Sequence, residues 1–220
     1  MIDGFPLLPL NFPLMRKAFT LIETLIVIAV FGTGILVVVY GISQTLAHQD
    51  RAKTQITASF LAREGIELMY NLRDSNYHKA LAWNCIFQRV EGTSPSESDF
   101  CSSLFSSGTV LKLAMGSGNA YLHVEKMGGL SEDFDENFNN FQLFYLTGAL
   151  GSTEGFQYVY SGNGGVPLRY ARYILVKAVQ DGGAVLPEDA LLKIESHVLY
   201  KKGALVGDHV MESFIGNYGI

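Results

Sequence analysis

The side chains best suited to binding an ion lie in residues 131–140, SEDFDENFNN. Oxygen-bearing side chains alternate along this segment, at Asp133, Asp135, Asn137 and Asn139. Hard oxygen ligands at this spacing could hold Ca²⁺, but the segment lacks the sixth-position glycine and the distal glutamate of an EF-hand loop. We therefore expect no metal or other cofactor. A calcium site at these four residues is the alternative to a solvated acidic loop.

The chain has two cysteines, Cys85 and Cys101. Neither has a C-x-x-C partner, and the five histidines are scattered, so no zinc-site spacing is present. An even count predicts one disulfide in an oxidising compartment and two buried thiols elsewhere. A bridge would tie down the serine-rich stretch between the two cysteines and stabilise the fold by about 3 kcal/mol.

Motifs for catalysis are absent from the sequence. It contains no G-x-S-x-G, no H-E-x-x-H, no phosphate-binding G-x-x-x-x-G-K-[ST], and no G-x-G-x-x-G after a predicted strand. The formal net charge is −5 and no block of basic residues occurs, so nothing indicates nucleic-acid binding. We expect a protein that is not an enzyme.

The strongest pattern in the sequence is the apolar run at residues 19–40, which contains one charged side chain, Glu23. As a helix this run would extend roughly 33 Å, the thickness of a bilayer core. A helix that is apolar on all faces fits a soluble protein only inside a much larger core. Arg16 and Lys17 precede the run, so the positive-inside rule predicts a cytoplasmic N-terminus and an exterior location for the residues beyond about 41.

Residues 16–23, RKAFTLIE, resemble the class III leader of type IV prepilins and type II secretion pseudopilins. In that family a membrane peptidase cuts before a phenylalanine and methylates the new amino group. The resemblance implies cleavage between Ala18 and Phe19, N-methylation of Phe19, and a role for Glu23 in assembly. The family usually has glycine before the cut, where this sequence has alanine, another small residue.

The resemblance also implies a function and a set of partners. The chain would be a structural subunit of a type IV pilus, where a minor pilin fits better than a major one, or of a type II secretion pseudopilus. It would polymerise through its N-terminal helix. Its partners would be the prepilin peptidase and methyltransferase, other pilin or pseudopilin subunits, the inner-membrane assembly machinery and the lipid bilayer. It would cross the inner membrane once, with its head outside the cytoplasm, and then enter an extracellular pilus or a periplasmic pseudopilus.

An ionised side chain such as that of Glu23 usually has a partner in a membrane helix. An ionised side chain at the centre of a membrane helix costs about 2.5–3.5 kcal/mol. Cleavage would create an ammonium group at Phe19, four residues away and on the same helix face. In the pilin family this carboxylate is thought to pair with the amine of a neighbouring subunit. The sequence leaves both pairings open, together with an interfacial glutamate that has no partner.

Several alternatives remain open at this point. A secretory signal peptide cleaved near Ala47 would have a shorter apolar run without a carboxylate. A signal-anchored exported binding or adhesion protein would keep Arg16 and Lys17, and an anchored hydrolase would need a nucleophile and a base that no motif indicates. The leader, residues 1–18, is either long or starts at Met15.

We expect one continuous helix over residues 20–73, because no proline interrupts it and turn chemistry first appears at Asp74-Ser75-Asn76. Residues 19–40 form its membrane and assembly half. Residues 41–74 form its continuation, which becomes amphipathic and is expected to pack on the head.

Residues 75–220 form the predicted extracytoplasmic head. It begins with an irregular loop region, residues 77–118, of which 92–109 are serine-rich. Strand patterns follow at 121–126, 141–147, 156–160, 168–180, 191–200 and 205–215. No helical pattern separates the last strands, so the sheet should be antiparallel. The predicted fold class is therefore α+β, with a long N-terminal helix, half membrane and half amphipathic, packed on an antiparallel β-sheet head.

Overall fold

The structure is a computed structural model that describes residues 20–88, 100–115, 122–146, 157–159, 166–203 and 205–217. The chain divides into two compact units, Met1–Asp50 and Arg51–Ile220. The predicted cleavage site, part of the serine-rich stretch and the ends of several predicted strands lie outside the described residues.

The first element is helix α1, Leu21–His78, which confirms the predicted continuous helix and extends a few residues past its predicted end. Ala80 terminates it by adopting a left-handed conformation, with φ at 53°. The Leu81 N–H then donates to the Asn76 carbonyl at 2.9 Å, and the Ala80 N–H donates to the Tyr77 carbonyl at 3.0 Å. This is a Schellman ending with alanine at the position that usually holds glycine.

Eleven strands follow α1 within the described residues, and all of their pairings are antiparallel. Their bounds are β1 (Cys85–Gln88), β2 (Phe100–Leu104), β3 (Val110–Met115), β4 (Leu122–Met127), β5 (Gln142–Leu146), β6 (Gln157–Val159), β7 (Val166–Ala178), β8 (Gln180–Asp181), β9 (Ala184–Val185), β10 (Leu191–Lys202) and β11 (Leu205–Gly216). A short helix α2, Phe134–Asn140, lies between β4 and β5.

Seven of the described strands form one antiparallel sheet in the order β11-β10-β7-β3-β4, with β5 pairing both β7 and β6. The long strand β7 is central, because it pairs with β10 along one edge and with β3 and β5 along the other. The α+β fold class and the antiparallel sheet predicted from the sequence are therefore confirmed.

Two segments differ from their predicted form. The region at 77–118, expected to be irregular, contains β1, β2 and β3, and β2 falls within the serine-rich stretch. Pairing with β1 and a disulfide hold β2 in place, so tertiary context overrides a composition typical of loops. The segment 131–140, expected to be an acidic loop, contains α2, which Asp133 caps.

The sheet buries apolar side chains on both faces. Against the second part of α1 it packs a core that includes Met69, Leu72, Leu113, Ile174 and Ile194, all almost fully buried. Side chains alternate between the two faces of a strand, so neighbouring positions point to the other side. There a second cluster forms around α2, from residues that include Phe138, Phe141, Tyr173 and Leu199.

Candidate functional site

The N-terminal part of α1 presents an uncovered apolar surface. Every described residue up to Asp50 is exposed, including Phe31 at 70% and Val37 at 71%. Within the described residues, α1 is the one helix long and apolar enough to cross a membrane by length and composition. Apolar surface of this extent on a soluble protein marks a site of contact with a membrane or another protein.

Glu23 lies in the first turn of this helix, where its backbone N–H donates to the Thr20 carbonyl at 3.0 Å. A carboxylate at this position interacts favourably with the unpaired N–H groups at the positive end of the helix dipole. Large exposed apolar residues surround it in sequence, among them Ile22 and Ile26. Ala18 and Phe19 lie outside the described residues, so cleavage and methylation there stay predictions.

The structure brings Cys85 and Cys101 together as a disulfide, with their Cα atoms 5.6 Å apart. Cys85 opens β1 and is fully buried, whereas Cys101 on β2 is exposed. The buried Asn76 amide on α1 donates to the carbonyls of Trp83 and Cys85, at 3.0 and 2.9 Å. The end of the helix is thereby attached to β1, and the disulfide attaches β1 to β2.

Two of the four residues considered as calcium ligands, Asp133 and Asn137, make hydrogen bonds around the short helix α2. One Asp133 carboxylate oxygen accepts the Asp135 backbone N–H at 2.8 Å and so caps the helix. Asn137 folds back on Ser131, accepting its N–H at 2.9 Å and donating to its carbonyl at 2.7 Å. Asp133 and Asn137 therefore have hydrogen-bond partners within the segment itself, as is common where Asp and Asn lie at the start of a short helix.

A cation already occupies the neighbourhood of these carboxylates. The Lys201 ammonium lies 2.7 Å from an Asp135 oxygen, and both residues line a surface depression with Asp133 and Asp208. Asn139 is exposed on α2. Throughout the described part of the chain, no three His, Cys, Asp or Glu side chains are grouped to hold a metal ion.

The second part of α1 is fixed to the sheet by one glycine and one buried arginine. At Gly65 a Cβ atom would collide with Ser196 Oγ and lie 3.0 Å from Ile174 Cδ1, so only glycine allows this close approach. Arg172 on β7 is fully buried and donates to the Leu61 carbonyl of α1 at 3.1 Å. Arg172 also donates to a β3 carbonyl at 2.8 Å and lies 3.0 Å from a Glu64 carboxylate oxygen.

On the opposite face of the sheet, a nearly buried carboxylate, Glu195, gathers three donors. Lys177 Nζ lies 2.7 Å from it, Lys193 Nζ 3.0 Å, and His197 Nε2 3.4 Å. Burial alone would raise the pKa of Glu195, but the hydrogen bonds from these donors outweigh it and lower that pKa to about 2. Glu195 is therefore ionised at every pH near neutrality.

Alternation over residues 191–200 places Lys193, Glu195 and His197 on one face of a strand, but the sequence did not reveal this cluster, because Lys177 comes from a different strand, β7. Arg172 was also missed, since it stands in the apolar run LRYARYILVKA and has no partner nearby in sequence. A charged residue at an inward-facing position of a central strand is the signal that could have revealed it.

No family model, no curated protein and no solved structure matches this chain. Evidence about its function therefore comes from the motif at residues 16–23 and from the geometry described above.

Proposed function

We propose that the chain is a filament subunit of the type IV pilin and pseudopilin class, processed before Phe19 and polymerised through α1. One observation carries the proposal: Glu23 stands in the first turn of an apolar, uncovered helix, directly after the residues RKAFTLI. The helix dipole favours a carboxylate in the first turn, but a membrane anchor does not require one in an apolar span, where an ionised side chain costs up to about 2.5–3.5 kcal/mol at the helix centre. A filament subunit uses it to pair with an N-terminal ammonium.

The head domain supports the same proposal. Beyond Asp50 the helix buries one face against an antiparallel sheet, and it leaves Ile56 and Phe60 exposed on another. Such a helix offers apolar contacts to neighbouring subunits along much of its length. The disulfide is in keeping with a head outside the cytoplasm, where thiols oxidise and stay oxidised.

Mass spectrometry of the mature N-terminus tests the processing step. The protein is produced in a host that carries a prepilin peptidase and, separately, in a strain lacking it. We expect an N-terminal peptide that begins at Phe19 and carries one added methyl group, only in the first host. An N-terminus that retains Arg16 and Lys17 in both hosts would instead support a signal-anchored binding protein.

Glu23→Ala tests the assembly step separately. We expect normal cleavage but a strong loss of the variant from sheared filaments, because the N-terminal ammonium loses its counter-charge. Glu67→Ala is the matched control, since it removes a glutamate from the exposed Arg63 ion pair of the same helix. Equal incorporation of the two variants would contradict the proposed role of Glu23.

A further inference from the structure

His197 on β10 lies between two carboxylates that belong to different strands. Its Nδ1 atom is 2.8 Å from an Asp208 oxygen on β11, and its Nε2 atom is 3.4 Å from a Glu195 oxygen on β10 itself. The ring stacks on Tyr173 of β7, with centroids 4.7 Å apart and planes within 7°. Three strands of the sheet therefore meet at this imidazole.

The geometry fits the charged form of the ring. A neutral imidazole carries one N–H and can donate to only one of two carboxylates, whereas the imidazolium donates to both. An ionised carboxylate can only accept hydrogen bonds; Glu195 is ionised near neutral pH, and the Asp208 oxygen lies 2.8 Å from Nδ1. Loss of the ring proton would set a lone pair against a carboxylate oxygen.

The charged and titratable groups around the ring come from every element packed near it. They are Tyr173 and Lys177 on β7, Lys193, Glu195 and Lys201 on β10, Asp208 and Glu212 on β11, and Asp135 on α2. Burial and the negative charges of Asp208 and Glu195 raise the pKa of Tyr173 to about 12, so its hydroxyl stays neutral. Among these groups, His197 is the one with an ordinary pKa close to neutrality.

We propose that His197 is a protonation-dependent clamp that fastens the C-terminal strand β11 to the sheet and holds it most firmly at acidic pH. Among the described strands, β11 pairs with β10 alone, so it lies at an edge. The contact with Asp208 runs diagonally across this pair, since His197 is opposite Val210 and Asp208 is opposite Leu199. Strand β11 is also held by its backbone pairing with β10, by the Lys193–Glu212 ion pair and by hydrogen bonds from Ser59 and Tyr70 of α1, so the clamp acts on the part of β11 around Asp208.

The direction of the pH effect follows from the charges. Burial lowers the pKa of His197, but the hydrogen bonds and charges of Asp208 and Glu195 raise it by more, so its folded pKa exceeds the ordinary value. A histidine whose pKa is raised by folding stabilises the folded protein. This stabilisation is complete at pH values below the pKa in the unfolded chain, near 6.5, and is lost as the pH rises through the pKa in the folded protein. The stabilisation that ionised Glu195 provides is lost only in acid, as the pH falls from the pKa of Glu195 in the unfolded chain toward its folded pKa of about 2.

Two measurements on the full chain in detergent micelles test the clamp. Nuclear magnetic resonance of histidine-labelled protein, assigned with His197→Gln, gives the pKa of this ring, which we expect to exceed that of a free histidine. Hydrogen exchange of the β11 amides, corrected for intrinsic rates, is then compared between pH 5 and pH 8. We expect wild-type β11 to lose protection at pH 8, and His197→Gln to have low protection at both pH values.

His209→Gln is the matched control, because His209 on β11 bonds a serine hydroxyl on α1 at 3.1 Å rather than a carboxylate. This variant should keep the wild-type pH dependence of exchange. Asp208→Asn should lower the pKa of His197 and remove the pH dependence of β11 exchange. Either result would identify the diagonal His197–Asp208 contact as the source of that pH dependence. An unperturbed or lowered His197 pKa in the wild type, or equal pH dependence in wild type and His197→Gln, would overturn the proposal.

Discussion

Arg172→Met is the sharpest test of how α1 is held on the sheet. Arg172 is fully buried, and its guanidinium donates to the Leu61 carbonyl on α1 and the Leu113 carbonyl on β3. The same group lies 3.0 Å from Glu64, whose side chain is one-third exposed. Methionine has a similar volume and a flexible apolar side chain, so it occupies most of the space but supplies no donor.

The expected loss follows from these contacts. Hydrogen bonds from a charged donor contribute roughly 1.5–3 kcal/mol each, and breaking a buried ion pair costs about 3–5 kcal/mol. Glu64 can rehydrate because it is partly exposed, which places the loss near the lower end, about 3 kcal/mol. For a chain of this size such a loss lowers Tm by on the order of 10 °C.

The single tryptophan provides the assay. Trp83 is buried, and its indole N–H donates to the Asp189 carbonyl at 2.9 Å, so its fluorescence reports on the head during guanidinium unfolding in micelles. Arg169→Met is the control, because it makes the same substitution at an exposed position of β7 and should change stability by less than about 0.5 kcal/mol. If both variants unfold at the same denaturant concentration, the buried guanidinium does not hold α1.

Two further predictions use the same assay. Gly65→Ala gains about 1 kcal/mol of helix propensity but forces a Cβ against Ser196 Oγ, so we expect a net destabilisation of about 1–2 kcal/mol that Ser196→Ala relieves. No relief in the double variant would show that the close approach is not the cause. Ala80→Gly should raise stability by up to about 1 kcal/mol, because Ala80 ends α1 in a left-handed conformation, and a loss of stability would refute this account.

The sequence was sufficient to predict the helix and strands whose residue patterns are local. The apolar run and the absence of proline from residue 14 to 94 predict α1, and alternation over 191–200 predicts β10. The disulfide was predicted only conditionally, since two cysteines alone do not reveal their compartment. Strand β2 was missed because a serine-rich segment takes this form only by pairing with β1, and helix α2 was missed because its alternating acidic and amide side chains were interpreted as a loop.

The contacts that organise the head could not be read from the chain because they join distant positions. Arg172 reaches the Leu61 carbonyl across 111 residues, and this pairing depends on which face of β7 turns toward the helix. His197 and Asp208 meet because the β10–β11 register sets them diagonally. The register between strands and the face to which each side chain points are set only when the sheet assembles. A shift of one residue in strand pairing would move each of these side chains to the opposite face.

The helix itself explains why Glu23 stands out. Residues 21–46 are apolar on all sides and contain no other charged side chain, which suits surroundings that cover every face. From Thr54 onward the buried positions recur on one face only, and charges such as those of Arg63 and Glu67 lie on the exposed side. A charge in the second part is ordinary amphipathic patterning. In the first part Glu23 is the one charge among residues 21–46; the helix dipole favours it at this end, and the ammonium partner that we propose would neutralise its charge.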